Sequence, residues 1–149
     1  MKKIFFAIIA IIFMAVLVSC GSFSGVKEKD WKLIEVRIND DTINFDRKNL
    51  VDDGFGEIFT LKFDARNVSG AGAPNRYTAP YKLEKGKAVS VQAVRTTLMA
   101  SIFEPERVRE SEFFVYIENI YEWDIDKDKN LILTSKNANE DKVTLVFSL

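Results

Sequence analysis

The sequence predicts an α+β domain: a curled, mainly antiparallel β-sheet, open and barrel-like, packed on one principal α-helix. Three observations predict it. Short stretches with apolar side chains at every second position lie on both sides of a single stretch with helical spacing. Clusters of turn residues separate these stretches at short intervals, as hairpins require. The regular alternation of strand and helix that a parallel sheet needs is missing, and so is any internal repeat.

The first strand is WKLIEVRI, residues 31–38. Trp31, Leu33 and Glu35 fall on one side, and Lys32, Ile34, Val36 and Ile38 on the other, so the strand is predicted but its buried face stays open. Residues 39–42, NDDT, are turn formers, and 46–56 form a charged, glycine-bearing loop. A cleaner strand follows in EIFTLKFD, residues 57–64, with Phe59, Leu61 and Phe63 on one face. NRYTAPYKLE and KAVSVQAV then flank Lys85-Gly86 as a hairpin. A helix is predicted over Glu106–Tyr121. Glu104-Pro105-Glu106 supplies a proline and carboxylates suited to its first turn. Phe113, Ile117 and Ile120 recur at helical spacing, and Phe114 and Tyr121 widen the stripe. NLILTSK and KVTLVFSL close the chain as two strands joined through residues 137–141.

The N-terminus has a different logic. Lys2 and Lys3 precede 15 uncharged, almost wholly apolar residues, Ile4 to Val18. A membrane-spanning helix needs about 20, so a positive flank and a short apolar core read as a secretory signal. Leu17-Val18-Ser19-Cys20 resembles the bacterial lipobox. That resemblance implies cleavage between Ser19 and Cys20, diacylglycerol on the Cys20 thiol and an acylated Cys20 amine, enough lipid for stable anchoring. The division is then a signal peptide over 1–19, a lipidated tether over 20–30 and one domain over 31–149. Residues 21–30, GSFSGVKEKD, suit a flexible tether.

Composition narrows the function. Cys20 is the single cysteine and there is no histidine. Lipidation leaves no thiol for a disulfide, a metal or catalysis, and the usual general base is missing. Removing residues 1–19 takes two lysines and leaves 19 basic against 22 acidic side chains, net −3. No basic patch speaks for nucleic acid. Expected partners are the membrane, through the lipid, and an envelope protein or lipid ligand; no cofactor is expected.

From Trp31 to Phe147 the chain resembles the META domain, also called HslJ-like, of bacterial envelope lipoproteins. The likeness is carried by WKLIEV, FTLKFD, SGAGAPNRYTAPY, TTLMAS at 96–101, the helix ending near Trp123, and NLILTS, in that order. It implies a non-catalytic role in envelope integrity or stress response, with no catalytic residue to carry over. The family pattern places cysteines where this chain has Pro74 and Ser101. The resemblance implies that the two would face each other as a pair, in which case losing both together gives up a staple of about 2–4 kcal/mol.

Four features compete for chemistry. Gly70 and Gly72 lack the lysine and hydroxyl of a phosphate loop and lead into a strand, so they read as a turn or bulge that positions Asn75, Arg76 and Tyr77. Asp124, Asp126 and Asp128 mimic half of a calcium loop. However, Lys129 replaces its glycine and Ser135 its glutamate, so a solvated hairpin turn is expected. Thr96, Thr97 and Ser101 lack an activating base and are expected to fix the chain before the helix. The aromatic surplus, Phe59, Phe63, Tyr77, Tyr81, Phe113, Phe114, Tyr121 and Trp123, reads as core filling. The alternative is an apolar cleft in a chaperone or pilot-like module that captures a lipid tail or partner peptide. Arg76, Tyr77 and Tyr81 are the candidate binding patch. A hydrolase of unconventional residues is the remaining class.

Overall fold

A computed structural model describes residues 22–49, 51, 52, 56–100 and 107–149. The signal segment, Ser19 and Cys20 lie outside the described residues, as do Ser101 and Glu104–Glu106. In chain order the elements are β1 (Trp31–Ile38), β2 (Asp41–Asn44), β3 (Val51–Asp52), β4 (Gly56–Glu57), β5 (Thr60–Phe63), β6 (Asn67–Ala71), β7 (Arg76–Leu83), β8 (Val89–Val91), β9 (Arg95–Thr96), α1 (Glu110–Glu118), β10 (Glu122–Ile125), β11 (Leu131–Lys136) and β12 (Lys142–Ser148).

The main sheet runs β10-β11-β12-β1-β5-β6-β7-β8, and every paired neighbour is antiparallel. Its two ends nearly meet. Val89 N–H donates to the Tyr121 carbonyl at 3.1 Å, and Trp123 N–H to that of Lys87 at 3.0 Å. The curled, barrel-like sheet expected from the sequence is therefore present and almost closed, which covers the exposed edges that would otherwise invite pairing with another chain.

Asp41 and Thr42, expected in a turn, open β2, and residues 51–52 and 56, expected in a loop, belong to the paired β3 and β4. Three further expectations need correction. The helix is nine residues, Glu110–Glu118, where 106–121 was expected, so the fold is mostly β with one short helix across it. The helix begins where the Glu112 carboxylate accepts the Arg109 N–H at 2.8 Å. It ends because Tyr121 N–H turns to the Thr134 carbonyl at 3.0 Å and starts β10. Phe113, Ile117 and Ile120 are buried as expected, whereas Tyr121 is exposed.

Second, the open question of the β1 face is answered by a bulge. Pairing with β12 slips between Leu33 and Glu35. An extra residue shifts the alternation by one, so Trp31, Leu33 and Val36 all point into the core. Arg47 Nη1 donates to the Leu33 carbonyl at 3.2 Å beside this bulge. Burial lowers the Arg47 pKa, against the opposing charge of Glu57.

Third, residues 22–30 are part of the domain instead of a tether. Phe23–Gly25 form a 3₁₀ turn. The Phe23 ring packs between Phe63, Tyr81 and Trp123, with centroids 5.1, 5.8 and 4.9 Å away. Val26 is fully buried, its carbonyl accepts the Trp31 indole N–H at 2.9 Å, and Glu28 N–H donates to Phe63. Phenylalanine and valine in a glycine- and serine-bearing stretch supplied apolar area that the sheet mouth lacked.

Candidate functional site

The most connected polar cluster sits at the corner between β6 and β7. Gly72 N–H donates to the Asn75 carbonyl at 2.6 Å, and the Ala73–Pro74 peptide is cis. This tight turn leaves the Ala73 and Asn75 N–H groups pointing away from any ladder, in residues only 1% and 6% exposed. Buried donors need an acceptor. Glu110, the first residue of α1, provides it: Oε1 accepts from Ala73 N–H at 2.5 Å and Asn75 N–H at 2.6 Å, and Oε2 accepts from Asn75 Nδ2 at 2.8 Å. A carboxylate in the first helical turn also faces the positive end of the helix dipole.

Asn75 extends the cluster to the segment before the helix. Its Nδ2 donates to the Met99 carbonyl at 3.0 Å, and its Oδ1 accepts from Met99 N–H at 2.7 Å and Thr97 Oγ1 at 2.8 Å. Thr97 Oγ1 in turn accepts the Arg76 N–H at 3.1 Å. The expectation that a threonine here fixes the chain by hydroxyl-to-backbone bonding holds for Thr97.

The glycines are explained by close approach. A Cβ on Gly70 would lie 2.0 Å from the Thr60 carbonyl oxygen, and one on Gly72 would lie 2.6 Å from the Phe114 ring and 2.7 Å from Glu110 Oε1. Gly72 thus opens the expected turn, whereas Gly70, expected in a turn or bulge, lies inside β6 opposite Tyr77, where the approach of the Thr60 backbone requires glycine.

The candidate patch does not assemble as a surface. Arg76 is exposed, but Tyr77 and Tyr81 are buried, and their hydroxyls donate to the carbonyls of Thr60 at 2.8 Å and Asp64 at 2.7 Å. Period-two alternation along β7 puts both rings inside, and burial raises the Tyr77 pKa well above its ordinary value. Next to Arg76, whose carbonyl accepts the Thr97 N–H at 3.0 Å, the surface instead carries Leu98, 98% exposed, and half-exposed Met99. They border an open groove of about 430 Å³ that also reaches Asn75, Glu110 and Phe114.

The aromatics that a cleft between helix and sheet would use are packed on one another. Phe113 lies 4.8 Å from Phe59 and 5.8 Å from Tyr77, and Phe63 lies 4.9 Å from Tyr81. The core-filling reading accounts for them. Two further grooves lie on the surface. One of about 290 Å³ is lined by Ile38, Glu112, Val115, Tyr116 and Asn137; another of about 250 Å³ lies between Lys62, Ser69 and Arg76. Burial and then the charge of Glu112 raise the Tyr116 pKa.

The acidic run 124–130 is a turn. The Asp126 carboxylate accepts the N–H groups of Asp128 and Asn130, both at 2.8 Å, and Lys129 has φ 65° where a calcium loop would place glycine. Asp124 pairs with Lys87, which, with the Ile125 N–H, lowers its pKa. Among the described residues no three potential metal ligands cluster, and no helix is long and apolar enough to cross a membrane.

A family model described as the META domain matches residues 24–148. The match takes in residues 24–30, ahead of Trp31. Among solved structures, the NMR structure of a protein from Burkholderia xenovorans is similar, with a TM-score of 0.58 and 20% identity over 87% of this chain and 88% of that one. At that identity the likeness speaks for the fold alone. Among curated proteins none matches.

Proposed function

The chain belongs to the META domain family, and from that premise we propose that it is a lipid-anchored protein of the bacterial cell envelope that acts by binding, not catalysis. The observation that carries the anchoring is Leu17-Val18-Ser19-Cys20 after a short apolar segment. Envelope integrity or stress response is the role that fits an anchored domain of this family.

The non-catalytic reading draws on the corner. A buried carboxylate beside a groove is the usual sign of acid–base chemistry. Here Glu110 accepts three hydrogen bonds that hold the turn, and Asn75 and Thr97 are engaged with each other and with backbone. Binding falls more naturally to Leu98 and Met99, which border this groove, and to exposed Arg76, which lines the separate groove beside Lys62 and Ser69.

Intact mass and detergent partitioning test the anchor. The parent should carry acyl mass on Cys20 and enter the detergent phase; C20A should do neither. A parent without acyl mass, or a C20A form that partitions like it, sinks the proposal.

A further inference from the structure

The ordered segment after Cys20 fixes more than a fold boundary. Phe23 is seated in the sheet mouth against Phe63, Tyr81 and Trp123. Three residue steps separate Cys20 from Phe23, and a fully extended chain covers about 11 Å in three steps. That is little more than one headgroup layer, about 5–8 Å from the difference between the full and hydrocarbon thickness of a bilayer. A domain held this closely cannot sample all orientations above the membrane.

The strand register identifies what projects at this end. β6 begins at Asn67, opposite Pro80, and the Tyr81 N–H still donates to the Arg66 carbonyl in the β5–β6 turn at 3.1 Å, so only Lys82 and Leu83 of β7 run past that turn and pair with β8 alone. Tyr81 touches the Phe23 ring, and Lys27 Nζ lies 5.9 Å from the Tyr81 ring centroid. Leu83 continues the inward row of Tyr77, Ala79 and Tyr81, but it lies beyond the mouth and is 43% exposed. Lys82 and Glu84 flank it and Lys85 follows, all exposed, so the tip carries two lysines against one carboxylate. An exposed leucine among side chains of net positive charge suits a lipid interface, where long lysines can reach the headgroups.

We propose that the β7–β8 hairpin tip, Leu83 with Lys82 and Lys85, rests on the bilayer beside the lipidated Cys20, so that the Phe23-closed mouth faces the membrane. The corner at Asn75 and Glu110, at the other end of β7, then faces away from it. This inference rests on the lipid-anchor reading.

The test uses the full chain in its lipidated form, with Cys20 occupied by lipid. An environment-sensitive dye is attached through L83C or, at the opposite end, through N139C in the exposed β11–β12 turn, and each protein is placed in phosphatidylethanolamine–phosphatidylglycerol vesicles. Bromolipids should quench the L83C label several-fold more than the N139C label, and its emission should shift to the blue. Equal quenching, or stronger quenching at N139C, in protein that carries the acyl mass overturns the orientation while leaving the anchor intact. Protein without acyl mass on Cys20 removes the anchor itself, and the orientation with it.

Discussion

Removing the Glu110 carboxylate should loosen the corner more than any surface change in the chain. E110A leaves the Ala73 and Asn75 N–H groups and Asn75 Nδ2 without the acceptor they share. A buried donor left unpaired costs about 1–3 kcal/mol. Three such donors set an upper range near 9 kcal/mol, but the adjoining groove is open and water can replace part of the carboxylate. Asn75 Nδ2 also keeps the Met99 carbonyl. The expected loss is therefore about 3 kcal/mol, a large share of the roughly 5–15 kcal/mol that holds a domain folded. E110Q keeps one oxygen for the two backbone donors and turns an amide nitrogen toward Asn75 Nδ2, so about 1–2 kcal/mol is expected. Urea unfolding of the domain followed by fluorescence measures both, since Trp31 and Trp123 are buried. An E110A loss under 1 kcal/mol, or an E110Q loss larger than that of E110A, would refute the shared-acceptor reasoning.

Other perturbations probe the same architecture. G70A forces a Cβ onto backbone and should cost about 3 kcal/mol or prevent folding, while G25A, with open space around it, should leave the urea midpoint unchanged. F23A should cost about 3–5 kcal/mol; a midpoint equal to the parent's would restore the flexible-tether reading. Y77F and Y81F should each cost about 1 kcal/mol through the lost hydroxyl bonds to Thr60 and Asp64, and no loss would count against those bonds. Asp64 accepts the Arg66 and Asn67 N–H groups, which lower its pKa, so its contribution is complete above the ordinary carboxylate value of about 3.9 and fades as pH falls through the lowered one. In D64N the acid limb of unfolding below pH about 4 should flatten; an unchanged limb would remove Asp64 from the account.

Much of the sheet was legible because period-two patterning survives wherever one face is buried. Leu61 and Phe63, and Val143, Leu145 and Phe147, end up inside as their spacing indicates; Phe59 is buried too, but it precedes β5 with φ 50° and sits beside the equally buried Ile58, outside the alternation. β1 was ambiguous for a local reason: the bulge near Ile34 breaks the alternation that the reading relies on. Residues 21–30 misled because composition reports average flexibility, while two side chains, Phe23 and Val26, decide docking. Tyr77 and Tyr81 were taken for a surface because tyrosine suits interfaces, yet their alternation with Arg76, Thr78 and Lys82 already placed them on the inner row. Glu110 was missed because a helix predicted from Glu106 places it in the helix interior, where a glutamate reads as part of the solvated face. The signal that could have found it is the Gly-Ala-Pro-Asn turn, whose N–H groups need an acceptor from elsewhere.

The corner also bears on the two missing cysteines. The resemblance to the family implies a cysteine pair that would join the loop at position 74 to the chain after Met99-Ala100, and here Pro74 and Ser101 occupy those places. The same two segments are nevertheless tied together, by Asn75 through Met99 N–H, the Met99 carbonyl and Thr97 Oγ1. A disulfide works mainly by restricting the unfolded chain and is largely indifferent to packing around it. A hydrogen-bonded tie acts only in the folded state, and only while water is kept out and every partner stays in place. Glu110 sets Asn75, Asn75 sets Met99, and the glycines let Phe114 and the Thr60 backbone close over the turn. Where the resemblance implies one covalent bond, this chain holds the corner with a set of groups that must be present together. That is why a charged residue on the helix, far from the loop in sequence, becomes part of the loop.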